Sequence, residues 1–117
     1  MNLERNKIIN WLDDLKRFWW KKDVENATSL FKNTTYYQET PFQKPYTTFE
    51  EIRKEWQHIK VQDIKKIEFK ILAIEGNTVI VEWEFVRDVT EFNGIYEIKF
   101  NNEFECVYFR SWEMKKL

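Results

Sequence analysis

Val79-Ile80-Val81-Glu82-Trp83-Glu84-Phe85 is the stretch on which the fold turns. Val79, Val81, Trp83 and Phe85 alternate with Glu82 and Glu84. That is the period-two pattern of a strand with one face in a core and the other in water. Glu75-Gly76-Asn77, just before it, reads as a hairpin turn. Upstream of the turn, Ile67, Phe69, Ile71 and Ala73 alternate with Glu68 and Lys70, which predicts a partner strand. Downstream, Phe92 to Phe100 sets Tyr96, Ile98 and Phe100 opposite Glu97 and Lys99, and Asn101-Asn102 turns the chain again. The last strand, Phe104 to Met114, is apolar on both faces, which suits a central position or an interface between copies.

The first half of the chain has helical spacing. Ile8, Trp11, Leu12, Leu15, Phe18 and Trp19 fall on one face of an amphipathic helix, with Asp13, Asp14, Lys16 and Arg17 on the other. Lys21 and Lys22 suit its C-terminal end, where cations meet the negative pole of the helix dipole. Asp23 is placed to cap a short second helix with Val24, Ala27, Leu30 and Phe31 inward. Asn33 to Glu39, rich in Thr and Tyr, predicts a short strand, and Pro41 and Pro45 bracket a loop. Thr48-Phe49-Glu50-Glu51 matches a capping box and opens a third helix to about Ile59, with Phe49, Ile52, Trp56 and Ile59 inward. The order α-α-β-α-β-β-β-β predicts an α+β protein: a curved, mostly antiparallel sheet wrapped around three helices, with a conical cavity between the layers.

Composition narrows the function. A chain of 117 residues supports one domain, residues 1–117, and needs neither disulfide nor metal to fold. Nineteen basic residues against 20 acidic ones give a net charge of −1, so no nucleic-acid partner is expected. One cysteine, Cys106, and one histidine, His58, leave little material for a metal site or a His-based triad, and the two glycines are isolated, so no phosphate loop is present. No cofactor is expected. No run approaches the ~18 apolar residues of a membrane span. Met1 to Lys7 leads into an amphipathic segment rather than a secretory core, which predicts a cytoplasmic protein. Aromatic residues make up 18% of the chain, enough to line a core or a pocket as well as a surface.

Three stretches carry a family resemblance. The first is Ala27-Thr28-Ser29-Leu30-Phe31 with Tyr36-Tyr37-Gln38-Glu39-Thr40-Pro41. The second is the helix Phe49 to Trp56. The third joins Val81 to Phe85, Asn93-Gly94-Ile95-Tyr96, and Glu105-Cys106-Val107-Tyr108-Phe109-Arg110-Ser111-Trp112. In this order they resemble the SnoaL-like proteins of the nuclear transport factor two-like, or ketosteroid isomerase-like, superfamily. The resemblance implies a cystatin-like α+β roll, an interior cavity and pairing of two copies through the outer sheet face. It covers isomerases, polyketide cyclases, dehydratase-like enzymes and non-catalytic modules. Its isomerases carry an Asp base in a Glu-Asp-Pro motif; here the matching stretch is Glu39-Thr40-Pro41, and a threonine hydroxyl is not ionised near neutral pH. The family's first-helix tyrosine falls near Leu15, and the sheet histidine of the cyclases is missing. These departures favour binding over catalysis.

The candidate residues follow. Glu39, at the end of the first strand, becomes a general base if aromatic neighbours desolvate it, and is otherwise a solvated rim carboxylate. Tyr37 and Tyr96 offer phenolic donors or are simply wall residues. Trp56 and Trp83 are structural first and ligand contacts second. Strict alternation puts Cys106, Tyr108, Arg110 and Trp112 on one face of the last strand. If that face is concave, Arg110 holds a ligand anion and Trp112 joins the wall; otherwise Arg110 pairs with a neighbouring glutamate. Val107 and Phe109, between Glu105, Ser111 and Glu113, then occupy a face of mixed polarity that suits solvent or a second copy. His58 points away from the inner stripe of its helix and reads as a surface residue, and Cys106 as a small buried hydrophobe. Two functions remain open: a cavity for a small hydrophobic ligand, with or without acid–base chemistry, and an interaction module whose cavity is filled.

Overall fold

The computed structural model describes residues 3–117. α1 (Arg5–Trp20) buries Ile8, Trp11, Leu12 and Leu15 along the predicted stripe. Its end is a closed turn: the Lys22 amide donates to the Trp19 carbonyl (3.0 Å) and the Asp23 amide to the Phe18 carbonyl (2.9 Å). This pairing satisfies carbonyls that a helix end leaves free, and it puts Lys22 at φ 58°. Asp23 caps α2 (Val24–Ser29) by accepting from the Asn26 amide. The capping box of α3 (Phe49–Trp56) forms as predicted, with Thr48 and Glu51 exchanging side-chain-to-backbone bonds. The helix is shorter than its stripe implied: beyond Trp56 the chain tightens into a 3-10 turn over Gln57–Val61, which still buries Ile59.

The five strands are β1 (Tyr36–Gln38), β2 (Ile64–Glu75), β3 (Thr78–Arg87), β4 (Thr90–Phe100) and β5 (Cys106–Lys115). They form one sheet in the order β1-β5-β4-β3-β2, antiparallel throughout except for the parallel pair of β1 with β5. β1 is shorter than expected because Thr34 and Thr35 bind the Cys106 and Val107 carbonyls from outside the ladder. β5 starts later than expected because Phe104 turns at φ 57° and stacks on Phe100. Register shifts in β2 (between Ile64 and Lys66 and between Ile71 and Ala73) and between β4 and β5 (at Lys99 and Phe100) accompany the curl of the sheet.

The shift at Lys99 and Phe100 decides which way β5 faces. Phe100 pairs with Cys106 and Lys99 with Tyr108, so Val107 is the extra residue. Cys106 is inward on one side of the bulge, and Phe109 and Ser111 are inward on the other. Tyr108, Arg110 and Trp112 therefore lie on the convex face, across from Lys99, Glu97 and Ile95. This corrects two sequence expectations at once. Cys106 does not share a face with Arg110 and Trp112, and the mixed-polarity set Phe109, Ser111 and Glu113 is concave rather than outward. Strict alternation fails because a bulge shifts the parity of every residue on one side of it.

The concave face packs against the helices. Trp11 meets Phe31, Phe100 and Phe109 at ring-centre distances of 5.7, 5.5 and 6.5 Å, filling one end of the interior. The other end, beside Trp19, stays open.

Candidate active site in the open end of the roll

The open end is a cavity of about 430 Å³, a size that holds a small organic molecule. Each wall follows from an element already placed. The alternation of β3 and β4 turns Trp83, Phe85, Phe92 and Tyr96 inward; β5 adds Phe109, Ser111 and Glu113; α1 supplies Trp19 and α3 supplies Glu55 and Trp56. Tyr37 and Glu39 enter from β1 and the residue after it. The Trp83 indole fits because its partner across the ladder is Gly94: a Cβ there would sit 2.6 Å from the ring. The indole nitrogen donates to Ser111 Oγ (3.1 Å), and the ring stacks on Tyr96 at 5.4 Å.

A polar line crosses this aromatic wall. Trp56 Nε1 donates to Tyr37 Oη (2.8 Å), and the Tyr37 hydroxyl donates to Glu39 Oε2 (2.9 Å). From the other side, the Tyr46 hydroxyl donates to Glu55 Oε2 (3.2 Å). Glu39 and Glu55 are close enough to share a proton. Burial, and then the Glu55 carboxyl beside it, push the Glu39 carboxyl up to about 8, while the Tyr37 hydrogen bond pulls the other way. Near neutral pH Glu39 therefore keeps its proton beside the Glu55 carboxyl, an arrangement that makes Glu39 a donor within a carboxyl pair. Burial likewise raises the Tyr37 and Tyr96 phenols well above their ordinary range, helped by the charge of Glu39, so both keep their protons. Burial also raises Glu113, against the pull of Arg87.

The Tyr96 hydroxyl differs from the others. The residue is only 6% exposed and lines the cavity, yet among the described residues its hydroxyl has no hydrogen-bond partner. His58 is exposed at the mouth, with Nε2 3.8 Å from Glu55 Oε2. Arg87, also on the wall, has its Nη1 3.3 Å from Asp88 and its guanidinium over Phe92. Among the described residues no cluster of three metal-ligating side chains occurs.

Five of the residues singled out from the sequence thus meet around one cavity: Tyr37, Glu39, Trp56, Trp83 and Tyr96. Arg110 and Trp112 do not reach it. The Arg110 guanidinium lies on the convex side, 4.5 Å over the Trp112 ring, and its Nε is buried without a partner. Glu55 was missed, although its place three residues after Ile52 and beside Trp56 put it at the edge of the inner stripe. Ser111 and Glu113 were assigned to the wrong side for want of the bulge. Cys106 is buried, with burial pushing its thiol up to about 12, which suits an inert packing role.

Comparison with solved structures identifies the fold. An epoxide hydrolase/cyclase-like enzyme, SalBIII, that takes part in pyran ring formation in the polyether salinomycin superposes with a TM-score of 0.80 at 13% identity, over 95% of this chain and 93% of its own. A steroid delta-isomerase from Pseudomonas aeruginosa gives 0.70 at 19% identity, over 96% and 82%. A putative SnoaL-like polyketide cyclase from Shewanella denitrificans gives 0.65 at 8% identity, over 90% and 88%. Proteins described as nuclear transport factor 2-like share the architecture too. The chain has the nuclear transport factor 2-like, ketosteroid isomerase-like fold, as the sequence resemblance implied. No protein-family model matches the chain, and comparison with curated proteins gives no match. At these identities the likeness establishes the fold and leaves the chemistry to the site.

Proposed function

We propose that the open cavity binds a small, largely hydrophobic molecule and that Glu39 and Glu55 act on it as an acid–base pair. The observation that carries this reading is a pair of neighbouring carboxyls set into the aromatic wall of a cavity that the core side chains leave open, with burial raising Glu39. Protonated Glu39 donates to an oxygen of the substrate, Tyr96 offers a second hydroxyl to the same atom, and the Glu55 carboxyl accepts a proton from the neighbouring position. Tyr37 and Trp56 position Glu39 through their hydrogen-bonded line. The isomerase and the cyclase-like enzyme that share the fold carry names of reactions on organic substrates, which supports this choice of chemistry.

The test is a panel of cyclic ketones and epoxides followed by absorbance and by product chromatography. Turnover is expected, with Glu39→Gln and Glu55→Gln each lowering it by roughly 10²-fold or more while the fold is kept. Turnover unchanged by both substitutions rules out the carboxyl mechanism.

We propose also that two copies pair through the convex face of the sheet, and that the protein works in the cytoplasm. Ile80, Ile95, Tyr108 and Trp112 stand together on that face, half-buried by their neighbours alone. Their mixture with Glu97, Lys99 and Arg110 gives the patch the apolar centre and charged complement of an isologous interface. Among the described residues no helix is long and apolar enough to cross a membrane.

A further inference from the structure

Resting on the reading of the cavity as a ligand site, we propose that its ligand is a hydrophobic amine, whose ammonium sits between Glu39, Glu55 and the Tyr96 hydroxyl and whose apolar body lies against the indole and phenyl walls. Four observations point there.

The first is charge. Glu39, Glu55 and Glu113 all line the cavity. The guanidinium on the same wall, Arg87, is held over Phe92 and close to Asp88, and His58 at the mouth lies 3.8 Å from Glu55. An anionic ligand would meet carboxyls with no uncommitted cation to receive it.

The second is the inventory of free acceptors. Tyr37 occupies Oε2 of Glu39 and Tyr46 occupies Oε2 of Glu55, so apart from the contact between the two carboxyls no other side chain engages their remaining oxygens. The Tyr96 oxygen, inside a residue only 6% exposed, is also free. An alkylammonium has three donors and no acceptor, which suits three free oxygens.

The third is the wall itself. Trp83 stacks on Tyr96 at 5.4 Å, and Trp19 packs against Phe85 at 4.5 Å and Trp56 at 5.3 Å. Ring faces beside carboxylates are the surroundings in which a desolvated cation gains most from aromatic quadrupoles.

The fourth is the shared proton. Two carboxyls side by side against an aromatic wall repel each other unless a positive charge lies between them. A proton fills that role in the empty cavity, and an ammonium replaces it in the occupied one, so binding releases a proton.

The test uses three probes of matched shape on the full chain at neutral pH: phenylbutylamine, phenylbutanol and phenylbutyrate. Calorimetry and tryptophan fluorescence read the affinities. The amine is expected to bind at least roughly tenfold more tightly than the alcohol, with the acid weakest. Glu39→Gln and Glu55→Gln, both isosteric, are expected to bring amine and alcohol to within about threefold of each other. Amine titrations in two buffers of different ionisation enthalpy are expected to show proton release. Equal binding of amine and alcohol to the unaltered protein, or preference for the acid, overturns the proposal and leaves the ligand cavity standing. Failure of all three probes, with the protein folded by circular dichroism, overturns the proposal and counts against the ligand site as well.

Discussion

Glu39 ties the stability of the fold to pH. Its ordinary value is 4.5 and burial among carboxyls lifts it to about 8 in the folded protein. Between those values the folded chain keeps a proton that the unfolded chain has lost, so the unfolded state binds fewer protons and stability falls as pH rises. The loss starts near pH 4.5 and is complete once pH passes about 8. Glu39→Gln removes the ionisation and keeps an acceptor for Tyr37. It is expected to flatten the pH dependence of the melting temperature and to exceed the unaltered protein in stability above pH 8 by roughly 2–4 kcal/mol. A melting temperature that falls equally steeply in both proteins would mean that Glu39 is not the titrating group. Tyr37→Phe cuts the same line at its centre. It strands the buried Trp56 indole N–H and takes a donor from Glu39. Urea unfolding is expected to show a loss of about 2–3 kcal/mol. The Glu39 titration, read by NMR of the side-chain carboxyl, is expected to move further up, because Tyr37 opposes the upward shift.

At the scale of elements, caps and turns were the most legible features. Asp23 before α2 and the Thr48–Glu51 box before α3 are local, and neighbouring residues alone fix them. The end of α1 was half legible: two lysines mark it, while the left-handed turn at Lys22 departs from the glycine that such a position favours. Lys22→Gly is expected to stabilise the protein by roughly 0.5–1 kcal/mol in thermal unfolding, since the strain of a side chain at positive φ is removed. Gly94 works the other way. Its Cβ would lie 2.2 Å from the Trp112 carbonyl oxygen and 2.6 Å from the Trp83 ring, in a strand with no slack. Gly94→Ala is expected to cost more than about 3 kcal/mol and to displace Trp83 from Ser111, visible as a change in tryptophan fluorescence. Reading β4 as a strand reached Gly94 without its reason, because the ring that fills the glycine's space belongs to another strand.

At the scale of the molecule, the convex face and the cooperative core make separate predictions. Sedimentation equilibrium at micromolar concentration is expected to give about twice the chain mass of 14.6 kDa, and Trp112→Glu to return it to the monomer mass. A monomer in both cases removes the convex face from consideration. If residues 1–117 form one domain, chemical unfolding proceeds in a single transition seen alike by tryptophan fluorescence and circular dichroism.

The sequence by itself determined the order of helices and strands, the alternation that places Trp83 and Tyr96 on one face, and the aromatic content of the interior. All of these are periodicities or caps read over a few neighbouring residues. Tertiary structure decided which face of β5 is concave, because one extra residue at Val107 shifts a parity that no local pattern announces. It also decided that Glu39, at the end of β1, meets Glu55, on the edge of α3. From sequence Glu39 reads either as a desolvated base or as a rim carboxylate, and Glu55 carries no signal of its own. They meet only because the curl of the sheet brings a strand end and a helix face to the same wall, and burial acts on pairs in space rather than on neighbours in sequence.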